Sequence, residues 1–183
     1  MKVGEYSFKR RYTAAQIVVD IVSLGALAYI WYVIYLCAID IDKLKSLNRT
    51  DADMSMFDWR PLLIWAAVGA AIFAASFVLI FRNKKKPEKL CITENNAVRY
   101  CNIIDTCISC VRLVLLIALG EVCYLHLSAI MMRTVSFSVQ LIIDALIIVC
   151  IIIFTKMRLS ALSDSEQERL QNEDKKEKYI VED

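Results

Sequence analysis

Four apolar stretches of the chain are each long enough to cross a membrane. They run approximately over residues 14–39, 61–81, 103–130 and 135–154. A bilayer core about 30 Å thick needs roughly 20 helical residues to span it. Residues 141–154 of the fourth stretch are apolar on every side except at Asp144, which is typical of a helix in lipid or of a wholly buried one. The sequence therefore predicts an all-α polytopic membrane protein, a bundle of four transmembrane helices.

The polar segments between these stretches are too short to enclose a separate hydrophobic core. We therefore predict one membrane domain over residues 1–158 and a charged cytoplasmic tail over residues 159–183. Within the tail, Ser163-Asp-Ser-Glu166 has the pattern of a capping box, which predicts that a short helix begins there. The mixed acids and bases that follow predict disorder toward the end of the tail.

The distribution of basic residues predicts the orientation. Of the Lys and Arg outside the spans, sixteen flank the two termini and the second connection, and five lie on the opposite side. Lys and Arg are retained on the cytoplasmic side, so both termini are expected there, and the compact helical layout favours a bacterial inner membrane. Partners are expected to be the bilayer itself and anionic lipid headgroups at Arg82–Lys89. Nucleic-acid binding is disfavoured because no folded cytoplasmic platform is predicted.

Polar residues inside the spans are the informative exceptions, since a charge at mid-bilayer costs about 2.5–3.5 kcal/mol on insertion scales. Two stripes with helical spacing lie on the inner halves of the first and third spans: Thr13, Gln16, Asp20 and Ser23, and Asn102, Asp105, Ser109 and Arg112. Asp20 and Arg112 have matching depth and opposite charge, so we predict that they pair, with Asp105 able to share Arg112. This pair is either structural, the preferred interpretation, or part of a transport path.

Two further acids lie in the outer halves of the third and fourth spans. Glu121 falls on the face opposite Arg112, and Asp144 continues a stripe with Gln140. Two carboxylates without an obvious cation either share a proton or bind a cation. In the alternative and preferred interpretation, both acids reach the interface or hydrogen-bond to Tyr124, Ser128 and Gln140.

The second span is rich in small residues. Alanines recur every four residues in two rows, Ala66, Ala70, Ala74 and Ala67, Ala71, Ala75. Small residues at this spacing let helices approach closely in lipid. The span is therefore expected to be the central packing helix, or a face for a membrane-protein partner or a second copy of the chain.

Catalytic signals are weak. Cys107 and Cys110 form a C-x-x-C pair, but the pair falls on the reducing side, so a structural role is preferred over a redox one. The chain has one histidine and lacks the common zinc, nucleophile-elbow and nucleotide-binding motifs. We predict no enzyme activity, no metal site and no cofactor.

The segment that precedes the third span reads Thr93-Glu-Asn-Asn96-Ala-Val-Arg-Tyr-Cys-Asn-Ile103. It resembles the corresponding segment of uncharacterised four-span membrane proteins of Gram-positive bacteria, which are often encoded beside small helix-turn-helix regulators. The tail departs from the acidic ending of that family. The resemblance covers about a dozen residues and implies a regulatory or accessory role.

The expected function is that of a non-catalytic accessory, sensory or regulatory membrane subunit. The alternative is a small transporter or an ion- or proton-coupled carrier that uses Asp20, Arg112, Glu121 and Asp144. A membrane thiol oxidoreductase centred on the C-x-x-C pair is the third interpretation.

Overall fold

The computed structural model describes residues 2–3, 6–7, 12–46, 60–85, 87–130 and 138–181. Its elements, in chain order, are β1 (Lys2–Val3), β2 (Tyr6–Ser7), α1 (Ala14–Ser46), α2 (Pro61–Phe81), α3 (Glu94–Ile130) and α4 (Ser138–Val181). Four helices of the described part are long and apolar enough to cross a membrane. The predicted all-α class with four membrane-spanning helices is confirmed.

A capping box fixes where α1 begins, and a single side-chain cap precedes α3. The Thr13 N–H donates to Oε1 of Gln16 at 3.1 Å, and the Gln16 N–H donates to Oγ1 of Thr13 at 3.2 Å. At the start of α3, the Thr93 N–H donates to Oδ1 of Asn96 at 2.9 Å. Both arrangements satisfy backbone donors that a helix N-terminus otherwise leaves without partners. α3 begins at Glu94, directly after the cap at Thr93 and well before the predicted residue 103.

α4 is one continuous helix from Ser138 to Val181. The sequence-based prediction of a new helix start at Ser163 is wrong, because Ser163 lies inside α4 and its hydroxyl is used elsewhere. Beyond Asn172, α4 continues as far as Val181. No Gly or Pro occurs between residues 138 and 181, so no residue in this range strongly interrupts the helix that leaves the membrane.

α3 is the central helix of the bundle. It packs against α1 most extensively and also contacts α4 and α2. The main apolar cluster joins α1, α2 and α3 through Ile30, Val33, Ile34, Cys37, Leu62, Ala66, Leu116, Cys123 and Leu127. The expectation that the second span is central is therefore not met, since α2 contacts only α3 and α1 extensively.

α2 packs with one face only. The buried residues are Leu62, Ala66, Gly69, Ser76 and Ile80, whereas Ala67, Ala70, Ala71, Ala74 and Ala75 are exposed. The first set recurs at the three- and four-residue spacing of a single helix face. Most of the predicted alanine rows therefore lie on the surface, where lipid or another helix would meet them.

A second apolar cluster forms at one end of the bundle, which we call the inner end. Buried Val3, Ile92, Ala97, Tyr100 and Cys101 meet there, together with Leu90, Ile104, Leu159 and Leu162. β1 pairs with β2 in antiparallel fashion, and Val3 forms a parallel bridge with Lys84. The N-terminal segment, the α2–α3 connection and the extension of α4 therefore share a small core, which the sequence was not expected to form.

Gly69 lies where α2 packs closely against its neighbours. A Cβ at Gly69 would lie 3.4 Å from side-chain carbons of Leu27 and Ile30, whereas a Cβ at Gly25 would meet nothing within 4 Å. We expect Gly69→Leu to lower the free energy of unfolding in detergent by about 1–3 kcal/mol through overpacking. Gly25→Leu is the matched control, because it makes the same change of helix propensity in open space. Equal effects of the two substitutions would contradict close packing at Gly69.

Candidate functional site

The guanidinium of Arg112 lies buried where α1, α2 and α3 meet, with 1% of its surface exposed. Its NH2 forms an ion pair with Oδ1 of Asp20, and its NH1 donates to Oγ of Ser76 at 3.1 Å. The Ser109 hydroxyl donates to the same Asp20 oxygen at 3.3 Å. The structure thus brings together Asp20 and Arg112, as their depth and charge predict, and adds a third helix to the network.

Two aromatic rings of α2 complete the surroundings of Arg112. The guanidinium carbon lies 4.9 Å from the ring centre of Phe73 and 5.1 Å from that of Phe77. An aromatic face attracts a cation, more strongly where water is excluded. Among the described residues no acceptor reaches Nε of Arg112, so the ion pair and the two rings carry most of the compensation for its charge.

The polar stripes of α1 and α3 meet along their inner halves. Nε2 of Gln16 donates to the backbone oxygen of Asn102 and to Oγ1 of Thr106, both at 3.3 Å. This contact lies one turn before Asp20 on α1 and two to three turns before Arg112 on α3. The two stripes therefore form a ladder of hydrogen bonds between neighbouring helices.

Asp105 has a cation of its own. Its Oδ1 lies 3.1 Å from Nζ of Lys84, and Nζ also donates to the backbone oxygen of Leu79 at 2.7 Å. Asp105 is buried and Lys84 nearly so. The predicted sharing of Arg112 by Asp105 therefore gives way to a second ion pair, between the α2–α3 connection and α3.

Glu121 and Asp144 lie together in the other half of the bundle. The side chains of Asp144 and Gln140 lie beside the Glu121 carboxyl, within hydrogen-bonding reach of it. Asp144 is buried, and no N–H or hydroxyl donor of the described residues reaches Oε2 of Glu121 or Oδ2 of Asp144. The acids therefore face each other across α3 and α4. Their contact fits the interpretation in which they share a proton or bind a cation, and the contact with Gln140 fits the preferred one, in which they bond to polar neighbours.

A cavity of about 480 Å³ lies beside this carboxyl pair, between α1 and α3. Glu121 is its only charged lining residue, and Tyr29 and Tyr124 add two hydroxyls to otherwise apolar walls of Val22, Gly25, Ala26, Leu113, Leu116 and Ile117. A cavity with such walls would bind an apolar molecule more readily than a hydrated ion.

A polar clamp joins the start of α3 to the extension of α4. The Ser163 hydroxyl accepts from the Cys91 N–H at 2.8 Å, and Oγ1 of Thr93 donates to Oε1 of Glu166 at 2.5 Å. NH2 of Arg169 donates to the same Glu166 oxygen at 2.7 Å. The clamp, defined by these five residues, fixes the α4 extension against the inner cluster.

The Thr93 hydroxyl, which donates to the carboxylate, lowers the pKa of Glu166 below its ordinary value, and the Arg169 guanidinium lowers it further. Burial acts in the opposite direction but is outweighed. Glu166 is therefore held as a carboxylate, which is the form that accepts both hydrogen bonds.

The cysteines and possible metal ligands give no further centre. All seven cysteines lie in the described ranges and none forms a disulfide. Cys37 and Cys123 are buried in the main apolar cluster, whereas Cys107 and Cys110 line a groove near the inner end. Within the described residues, no group of three or more His, Cys, Asp or Glu is placed to hold a metal ion.

No protein-family model, curated protein or solved structure matches this chain. The four helices and the buried charges define it as a multi-pass membrane protein of four spans.

The clamp was missed in the sequence, although its pattern is present. Thr93 and Asn96 have capping-box spacing. The helix start was instead predicted at Ser163 and Glu166, which lie inside α4. Thr13 and Gln16 likewise form a capping box directly before an apolar run, which is the usual signal of a helix N-terminus. No local signal shows that Ser163 and Glu166 reach the start of α3, because that contact joins residues about seventy positions apart.

The ion pair of Asp20 and Arg112 predicts strong non-additivity. Asp20→Asn leaves a buried guanidinium without a counter-charge, so we expect the free energy of unfolding to fall by about 3 kcal/mol. The double variant Asp20→Asn/Arg112→Gln is expected to recover more than half of that loss, because it removes the uncompensated charge. Unfolding in mixed micelles measures both, with Arg82→Gln, at an exposed arginine, as the control. Losses that simply add would contradict a structural pair.

The Glu166 clamp predicts a dependence on pH. Because the pKa of Glu166 is lowered in the folded chain, its contribution is fully present above the unfolded value of about 4.3 and is lost as the pH falls through the lower folded value. We expect the difference in melting temperature between the unaltered chain and Glu166→Gln to be largest near neutral pH and to shrink below about pH 4. Glu168→Gln, an exposed position on the same helix, is expected to show no such trend. A pH-independent difference for Glu166→Gln would contradict the clamp.

Proposed function

We propose that this chain is a non-catalytic accessory, sensory or regulatory subunit of the bacterial cytoplasmic membrane. The observation that carries the proposal is the clamped α4 extension at the inner end. A helix that continues from the membrane and is fixed by Thr93, Glu166 and Arg169 offers a rigid, polar surface but no reactive centre. Such a surface suits contact with another protein.

The inner end is proposed to face the cytoplasm. The N-terminal strand, the α2–α3 connection and the α4 extension all meet there. The stretches of sequence that include them, residues 1–13, 82–102 and 155–183, contain sixteen of the chain's 22 Lys and Arg. Retention of Lys and Arg in the cytoplasm supports this orientation, with both termini inside.

The buried charges of the inner half support a structural rather than a transport role. Asp20 is paired with Arg112, and Asp105 is paired with Lys84. A path for ions needs charges that can exchange partners, whereas these pairs hold three helices and the α2–α3 connection together. Substitution of either partner is costly for that reason.

Two surfaces are suited to partners within the membrane. Only 6% of the apolar window of α4 is buried inside the bundle, compared with 22–28% for the other three helices. The five exposed alanines of α2 form a flat face that would admit a close helix–helix contact. A partner subunit or a second copy of the chain could bury either surface. Residues 93–103, which resemble proteins encoded beside helix-turn-helix regulators, add support for a regulatory partner.

A second candidate function rests on Glu121 and Asp144. Their contact brings two carboxyls together with no cation among their described neighbours, beside the cavity lined by Glu121. One proton held between the two carboxyls would remove their repulsion. A proton-coupled carrier would use such a pair, and the two acids would then be the groups that take up and release the proton.

Site-specific photo-crosslinking in native membranes tests the accessory role. A photoreactive residue at exposed Leu170 is expected to give a discrete protein adduct, whereas the same residue at exposed Ile152, which faces outward within the fourth span, is expected to give mainly lipid. Because the clamp orients the extension, Glu166→Gln should reduce the Leu170 adduct at least about threefold. Asp164→Asn, at an exposed neighbouring acid, should leave it unchanged.

Two results would contradict the accessory role. The first is an adduct that is the same at both positions and insensitive to Glu166→Gln. The second is proton flux in liposomes that contain the purified chain, abolished by Glu121→Gln and retained by Asp164→Asn. That second result would favour the carrier.

A further inference from the structure

Two arginines converge on one cavity at the inner end, between α3 and α4. The cavity has a volume of about 440 Å³ and is lined by Arg99, Asn102, Ile103, Arg158, Ala161 and Leu162. Both guanidiniums are exposed. Among the described residues, neither forms an ion pair with a carboxylate; the nearby Glu166 already accepts from Thr93 and Arg169. The cavity is shallow and open, and Arg99 lies close enough to Glu166 to act on its charge. It offers two guanidiniums as donors for an anion.

An apolar groove continues from this cavity into the membrane. It has a volume of about 370 Å³ and shares Asn102, Ile103 and Arg158 with the cavity. Its walls come from three helices: Ala15 of α1, Cys107 and Cys110 of α3, and Ile151 and Phe154 of α4. Both volumes fall in the range of about 300–1,000 Å³ that is usual for small-molecule sites.

The positions of the cavity and the groove along α4 match the positions of the headgroup and the acyl chain of a phospholipid. From Ile151 to Arg158 α4 rises by about 10 Å, and the lining changes over this length from apolar to charged. Phe154, whose ring lies 5.2 Å from the guanidinium carbon of Arg158, marks the boundary between them. A phosphate at the arginines would therefore leave an attached acyl chain directed along the groove.

We propose that this composite site binds one anionic phospholipid, with its phosphate between Arg99 and Arg158 and one acyl chain in the groove beside Cys107 and Cys110. Arginine presents a planar set of N–H donors that matches phosphate oxygens and forms charge-assisted hydrogen bonds with them. Basic pockets between membrane helices at the cytoplasmic interface are suited to such headgroups. Bound there, the lipid would bridge α1, α3 and α4, and α1 and α4 otherwise have little mutual contact.

The site differs from the basic connection at Arg82–Lys89. The exposed cations that the structure describes in that connection, Arg82, Lys85 and Lys89, line neither the cavity nor the groove. They can attract a membrane surface only through its average charge, which does not distinguish one lipid molecule from another. Arg82 and Lys89 therefore provide a control with the same change of charge at the same end of the bundle.

Native mass spectrometry of the full-length chain in detergent tests the proposal. The probes are phosphatidylglycerol and phosphatidylcholine with identical acyl chains. We expect one phosphatidylglycerol to bind with at least about tenfold higher affinity than phosphatidylcholine. Arg99→Gln/Arg158→Gln should weaken phosphatidylglycerol binding about tenfold or more, because charge-assisted hydrogen bonds are lost. Arg82→Gln/Lys89→Gln should change it less than about twofold.

The groove is tested separately by Ala15→Trp, which fills the apolar space and leaves both arginines in place. This variant is expected to weaken phosphatidylglycerol binding severalfold while its melting temperature stays close to that of the unaltered chain. Inorganic phosphate is the remaining probe, and millimolar phosphate should not displace the lipid.

Several outcomes would overturn the proposal. Equal affinity for the two lipids, or equal losses of phosphatidylglycerol affinity in the two double variants, would show that binding depends only on general surface charge. Displacement of phosphatidylglycerol by inorganic phosphate, with no effect of Ala15→Trp, would identify a site for a free anion instead. The result is independent of the proposed accessory role, which the crosslinking experiment tests at other residues.

Discussion

The structure depends most on the compensation of one buried cation. Arg112 lies inside the membrane-spanning part of α3, and an uncompensated charge at that depth is costly. Its partners come from both neighbouring helices: Asp20 from α1, and Ser76, Phe73 and Phe77 from α2. Apolar contacts tolerate small rotations and shifts of helices in lipid, whereas this set of directional contacts does not. Arg112 therefore fixes the register of α1 and α2 against α3.

The fourth helix is held by a different means. α4 buries little of its apolar surface, and its described polar contacts are with α3 and the segment just before it. Asp144 meets Glu121 in one half of the bundle, and Ser163 and Glu166 join the clamp beyond the other. Between these two attachments, α4 presents mostly exposed aliphatic residues. The bundle is thus a three-helix unit with a fourth helix attached at separated points, which leaves a long surface for lipid or a partner.

Hydropathy alone predicts the number of spans, because the length of an apolar helix is set by the bilayer and needs no knowledge of tertiary contacts. The same is true of the Asp20–Arg112 pair, since depth and opposite charge leave few other partners. Asp105 shows the limit of this reasoning. Its sequence spacing favours Arg112, but Lys84 reaches it from a connection whose path cannot be inferred from periodicity.

The errors at α2 and at the inner end have related physical causes. Small residues permit close helix contact but do not select it, so the rows of alanine could not show that Gly69 and Ser76 lie on the packed face and Ala70 does not. The inner cluster is built from short segments far apart in the chain, none of which is amphipathic enough to predict a core alone. Val3 is buried only because Ile92 and Tyr100 are brought to it by the ends of the helices.

The two halves of the bundle also differ in how their charges are treated. In the inner half the acids have basic partners. Asp105 pairs with Lys84, and Asp20 pairs with Arg112. In the other half, Glu121 and Asp144 meet without such a partner among the described residues. α4 is joined to α3 at both this pair and the clamp, so one continuous helix connects the two attachments. Under the proposed regulatory role, this helix would connect the interior of the bundle with the partner.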